Sequence, residues 1–247
     1  MPGQINILSA GAVSPGLVRV IDAFRSETGH DVAVAFATAP ELRKRLASGE
    51  SADIVIAPPE LLDELTKSGR AAAERVMVGR IGVGVMVRRD APVPRIATVE
   101  ELKQSLLNSE SIVFNQASTG LYIDTLFKRL GIAAQTEAKI ARYADFAAVR
   151  DHVSKGQSNA IGFGATTVIV ESADKGIKFV GPLPAEVQNY TAYAAVRTPD
   201  SGNDAAAFTD YLETPAAKSI FSRALKTICA WRHSPALWPR ARRPLAP

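Results

Sequence analysis

The chain has 247 residues, 47% of them apolar and 22% charged, which is the make-up of a soluble globular protein and excludes a disordered or fibrous one. Its formal net charge is +4, but seven Lys/Arg and no acid lie from Thr214 onward. Residues 1–213 therefore hold 22 basic against 25 acidic side chains, which excludes the basic face of a nucleic-acid binder. The single cysteine, Cys229, excludes a disulfide framework and a Cys-based zinc site, and no run approaches the roughly 18 apolar residues of a membrane span.

The first residues are expected to lead straight into a strand, and the chain as written is expected to carry no secretion signal. A cytoplasmic chain is expected as written, or a periplasmic one if a leader has been removed. Residues 4–9 read as that strand. Ser14 as N-cap and Pro15 at the first position then open a helix with Leu17, Val20, Ile21 and Phe24 on one face and Gly29 as its stop. The unit repeats: a strand over 31–36, a helix from Pro40 with Leu42 and Leu46 inward, a buried strand over 53–57, and a helix after Pro58-Pro59. Such alternation predicts parallel sheets covered by helices.

Residues 76–88 form a β-like run too long for one ordinary strand, with three glycines that allow a bend. A second α/β series follows. It comprises a helix over 99–107 behind the capping box Thr98-Val99-Glu100-Glu101, a strand over 111–115 and a helix over 121–130. A strand over 139–142, a helix over 146–155 and a strand over 160–163 complete it. A further long β run spans 189–196, and helices over 204–212 and 215–226 close the pattern. Two β runs bracketing a complete α/β unit predict two lobes with two crossings. The first lobe is expected from 1–82 plus 197–230 and the second from 83–196. Residues 231–247 form a basic, Pro-rich tail that is expected to be poorly ordered. The cleft between the lobes is the expected ligand site.

Three strand-to-helix loops point to what that site holds. They are Ser9-Ala10-Gly11-Ala12-Val13-Ser14, Ala37-Thr38-Ala39-Pro40 and Asn115-Gln116-Ala117-Ser118-Thr119-Gly120. All are small and polar, all precede helix starts with free N–H groups, and together they predict a site for an anion. Arg80, on the first crossing, is expected to face the cleft and pair with that anion. The glycines Gly79, Gly82 and Gly84 do not make a dinucleotide fingerprint, because the segment continues as strand instead of opening a helix. No nucleophile elbow is present. Cys229 reads as a small apolar residue, His152 as a surface side chain, and Trp231 and Trp238 suggest no function.

In order and spacing, several motifs resemble the molybdate-binding type of periplasmic solute-binding proteins. They are Ser9-Ala10-Gly11-Ala12, Ala52-Asp53-Ile54-Val55-Ile56, Ser118-Thr119-Gly120-Leu121-Tyr122, Ala160-Ile161-Gly162-Phe163-Gly164 and Tyr211-Leu212-Glu213-Thr214-Pro215. The resemblance covers about residues 4–225. It implies the type II periplasmic binding protein fold: two α/β lobes, each a mostly parallel sheet flanked by helices, joined by two β crossings. It also implies a monomer that captures a small anion without catalysis, cofactor or metal, with an ABC transporter permease as a further partner. The loops, the first crossing and the resemblance together put Ser9, Gly11, Ala12, Thr38, Ala39, Arg80, Ser118, Thr119 and Tyr122 at the ligand. Alanines 12 and 39 stand where molybdate binders carry serines, so the implied ligand shifts toward a small organic carboxylate. The wider group contains aconitate isomerases, which leaves isomerisation of an unsaturated tricarboxylate as the alternative, with Tyr122 as its possible base.

Overall fold

A computed structural model describes residues 3–156 and 159–226, so Cys229, both tryptophans and the basic tail lie outside the described residues. Strand β1 (Ile5–Ala10) passes through a 3-10 turn (Gly11–Val13) into helix α1 (Ser14–Thr28). That turn already bends the chain, so Val13 and not Ser14 is the N-cap, and Ser14 lies inside the helix. Leu17, Val20, Ile21 and Phe24 form its buried face, and Gly29 ends it at φ 73°, a conformation that side chains resist.

Next come β2 (Val32–Ala37), α2 (Ala39–Ala47), β3 (Ile54–Ala57) and α3 (Pro59–Lys67). The long run is one bulged strand, β4 (Val76–Arg88). After it come α4 (Val99–Asn108), β5 (Ser111–Asn115), α5 (Ser118–Arg129), α6 (Ala133–Thr136) and β6 (Ile140–Tyr143). Then follow α7 (Phe146–Lys155), β7 (Ala160–Ala165), α8 (Thr166–Glu171), β8 (Ile177–Pro182), β9 (Tyr190–Arg197), α9 (Asn203–Glu213) and α10 (Pro215–Lys226). Half of the expected capping box forms at α4: the Glu101 N–H donates to Thr98 Oγ1 at 3.2 Å, whereas the Glu101 carboxylate accepts from the Ala97 N–H at 3.0 Å, one residue ahead of the N-cap.

The sheet order is β2-β1-β3-β9-β4-β7-β5-β6, with β8 also on β4. β1 pairs parallel with β2 and β3, and β5 parallel with β6 and β7, while every pair made by β4 or β9 is antiparallel. The first half of β4 pairs with β9 and its second half with β7 and β8, so one strand belongs to both lobes. One apolar core draws on residues 5–81 and 193–221, around Phe24, Leu42, Ile54 and Phe208. The other lobe packs around Phe114, Phe127 and Phe163, with a satellite on Met86 and Val149.

Strand β9 differs from expectation. The sequence reading assigns it to the second lobe up to residue 196, yet β9 pairs with β3 and its residues 193–196 pack in the first core. We place the second boundary just before Tyr190.

Candidate functional site

A cleft of about 870 Å³ opens where the strand ends of both lobes face each other. Its first-lobe wall comprises the turn after β1 (Gly11, Ala12), the start of α2 (Thr38, Ala39, Pro40) and Pro58 ahead of α3. Its second-lobe wall comprises the β5–α5 loop (Ser118, Thr119) and the β6–α7 loop (Asp145, Phe146). The chain makes these loops at the carboxyl ends of parallel strands, where a strand must turn into a helix and leave its first N–H groups unpaired.

Helices α1 and α5 begin with no side-chain cap and no acid in the first turn. Their partial positive charge is therefore not neutralised from within. The start of α5 is held against the end of β5: a Cβ on Gly120 would lie 1.6 Å from the Asn115 carbonyl oxygen, so only glycine allows this approach. Asn115 Oδ1 accepts from the Ala117 N–H at 3.2 Å and sets the turn into the helix. At α2 the first turn carries Glu41, and at α7 the N-cap Asp145 accepts from the Ala148 N–H at 2.9 Å.

The charged side chains lining the cleft are Glu41, Lys44 and Asp145. Apolar surface makes up much of the remaining wall, from Ala12, Ala39, Pro40, Phe36, Phe146 and Val168. On the floor lies Tyr193 of β9, 6% exposed. Burial pushes its phenol up to about 12; a hydrogen bond with Thr191 acts the other way, and the Glu60 carboxylate adds to the rise. Tyr193 therefore stays protonated at neutral pH. Behind the cleft, the Thr167 hydroxyl of α8 donates to the Ala12 carbonyl at 2.6 Å, tying the second lobe to the first.

Six of the nine residues expected at the ligand line this cleft: Gly11, Ala12, Thr38, Ala39, Ser118 and Thr119. Three do not. Ser9 is fully buried and its hydroxyl donates to the Ala10 carbonyl at 3.3 Å. Arg80 is exposed on β4 outside the cleft lining, with its guanidinium 5.7 Å from the centre of the Tyr190 ring. The Tyr122 hydroxyl donates to the Val187 carbonyl at 2.6 Å and ties α5 to the segment before β9. His152, read as a surface residue, is half-buried: Tyr143 OH lies 2.8 Å from its Nδ1 and Ser111 Oγ 3.1 Å from its Nε2. The reading missed Glu41, Lys44, Asp145 and Tyr193. Asp145 sits in a fourth loop of the same strand-to-helix kind, and that is the signal that would have found it.

Residues 5–224 match the family model of bacterial extracellular solute-binding proteins, and the chain belongs to that family. It is 31% identical over 133 residues to an aconitate isomerase from a Pseudomonas species; the match covers 51% of this chain, and the chain spans about half the length of that relative. The periplasmic molybdate-binding protein of Azotobacter vinelandii superposes with a TM-score of 0.74 at 18% identity, covering 89% of this chain and 97% of that one. PEB3 of Campylobacter jejuni with bound L-phospholactate superposes with a TM-score of 0.71 at 14% identity, covering 89% and 97%. The fold is the two-lobed type II periplasmic binding protein fold, in agreement with the expectation from sequence.

Proposed function

We propose that this solute-binding protein captures a small organic carboxylate in the cleft between its lobes, closes on it, and delivers it to an ABC transporter. The observation that carries this reading is the pairing of two acid-free, uncapped turns, the 3-10 turn after β1 and the start of α5, with walls that are largely apolar. The helix N–H groups and the hydroxyls of Ser118 and Thr119 suit a carboxylate. The apolar walls suit a carbon frame, which a tetrahedral oxyanion lacks. A cleft of about 870 Å³ is also of the size that small organic ligands occupy. Alanines 12 and 39 offer no hydroxyl, and a buried ligand oxygen left without its donor costs roughly 1–3 kcal/mol. Closure follows from differential contact, because only the closed state lets one ligand touch both walls.

Calorimetry with molybdate, sulfate, butyrate, glutarate, tricarballylate and citrate tests this reading. At least one carboxylate is expected to bind at micromolar affinity or better, with molybdate weaker than micromolar. At 100 times its Kd, such a carboxylate should raise stability by about 2.7 kcal/mol. Submicromolar molybdate with no carboxylate binding would overturn the reading.

A second reading is favoured by Glu41, a carboxylate on the cleft wall that accepts no hydrogen bond among the described residues and has only the charge of Arg45, one turn on, drawing on it. Isomerisation of an unsaturated tricarboxylate moves one proton: a base removes it from the carbon next to a carboxylate, the double bond shifts, and the proton returns at the far end of the allyl unit. Glu41 is placed to serve as that base. Proton NMR of trans-aconitate in deuterated water would show loss of vinyl and methylene signals with wild type and none with Glu41→Gln. No exchange with wild type would leave binding alone.

A further inference from the structure

Helix α2 carries three consecutive cations with different fates. Arg43 donates to both carboxylate oxygens of Glu64, at 2.7 and 2.9 Å, and Arg45 is paired in the same two-pronged way with Glu50. Lys44, between them, forms no ion pair among the described residues. It is also the cation among the side chains that line the cleft. Its neighbours are held by acids of the surrounding chain, whereas its own charge is left for something entering the cleft. Of the helix starts on the cleft wall, that of α5 is free of acids, while the start of α2 carries Glu41, which repels an anion there. A first acidic group of the ligand is therefore favoured at the start of α5, and Lys44 lies one turn beyond Glu41 on the α2 wall.

From this arrangement we infer that the ligand carries a second acidic group, separated from the first by a carbon frame, and that Lys44 selects for it. The inference rests on the carboxylate reading above and narrows it from organic acids in general to those with two or more acidic groups. The apolar surface of Phe36, Ala39 and Pro40 lies on the same wall and suits the intervening frame. Glu41 beside Lys44 adds a constraint, because it disfavours an anion that is not matched to the ammonium group.

NMR shift titrations, which read affinities down to millimolar, test this with butyrate, glutarate and tricarballylate as probes. Wild type should bind glutarate or tricarballylate at least tenfold more tightly than butyrate. Lys44→Gln should bring the preferred acid to within about twofold of butyrate while leaving butyrate unchanged, and Lys44→Arg should keep most of the preference. Lys44 is exposed, so neither variant disturbs a core. Equal binding of all three acids by wild type overturns this inference and leaves the carboxylate reading standing, and an undiminished preference in Lys44→Gln overturns the role of Lys44. Failure of all three acids to bind wild type overturns this inference together with the carboxylate reading.

Discussion

The side chain of Gln188 grips both main-chain groups of Val83, which also bond the main chain of Asn189 and Leu183: its Oε1 accepts from the Val83 N–H at 2.9 Å, and its Nε2 donates to the Val83 carbonyl at 3.0 Å. Val83 lies where β4 leaves the first sheet for the second, and Gln188 stands just before β9 makes the return crossing. One carboxamide thus bridges both crossings at the junction of the lobes. Gln188→Leu removes both bonds, each worth about 0.5–1.5 kcal/mol. Urea denaturation should show a loss of roughly 1–3 kcal/mol, and spin-label distances between the lobes should broaden. An unchanged distance distribution would show that the crossings are held by backbone pairing alone.

Arg80 is expected to have no part in ligand capture. Its guanidinium rests against the exposed Tyr190 ring, a contact worth about 0.5–1 kcal/mol at such a site. Arg80→Ala should leave the affinity for the best carboxylate within about twofold and reduce stability by less than 1 kcal/mol. A tenfold loss of affinity in calorimetry would return Arg80 to the ligand.

Gly120 is where the second-lobe wall has no slack. Its virtual Cβ meets main chain at 1.6 Å, and main chain cannot rotate aside as a side-chain end can. Gly120→Ala should shift the start of α5 and cost about 1–3 kcal/mol or more. The expected result is a lowered melting temperature with weakened ligand binding. Wild-type values of both would mean that the β5–α5 loop relaxes freely.

Tyr193 makes an alkaline prediction. In the fold its phenol holds the proton to about pH 12, whereas in the unfolded chain it titrates near the ordinary value of 10.0. The stabilisation is whole below about pH 10 and is lost as pH rises toward 12. Denaturation midpoints of wild type should fall more steeply across that window than those of Tyr193→Phe. Parallel declines would show that another group governs alkaline unfolding.

The strands and most helices were legible because their apolar periods agree with their burial, as in Leu17, Val20, Ile21 and Phe24 of α1. Helix α8 was not. Its Thr166-Thr167-Val168-Ile169-Val170 is β-branched throughout and carries no helical signal, so packing overrides propensity. Strand β8 was lost for a different reason: Gly181 and Pro182 read as punctuation, although β4 holds them in register. At the site, three loops were legible from their small residues and helix starts. Lys44 was not, because one turn into a helix it looks the same as the paired Arg43 and Arg45 beside it. Nor was Tyr193, since periodicity alone does not tell a strand residue over a cleft from one in a core.

The place of β9 between β3 and β4 sets an order of assembly. A growing chain makes β1 to β3 first, but the strand that joins them to β4 arrives only with residues 190–197. Everything the second lobe needs, from the later half of β4 to Val187, has been synthesised by then. The lobe that begins the chain is therefore the last to close, its opening strands waiting beside a neighbour already able to fold.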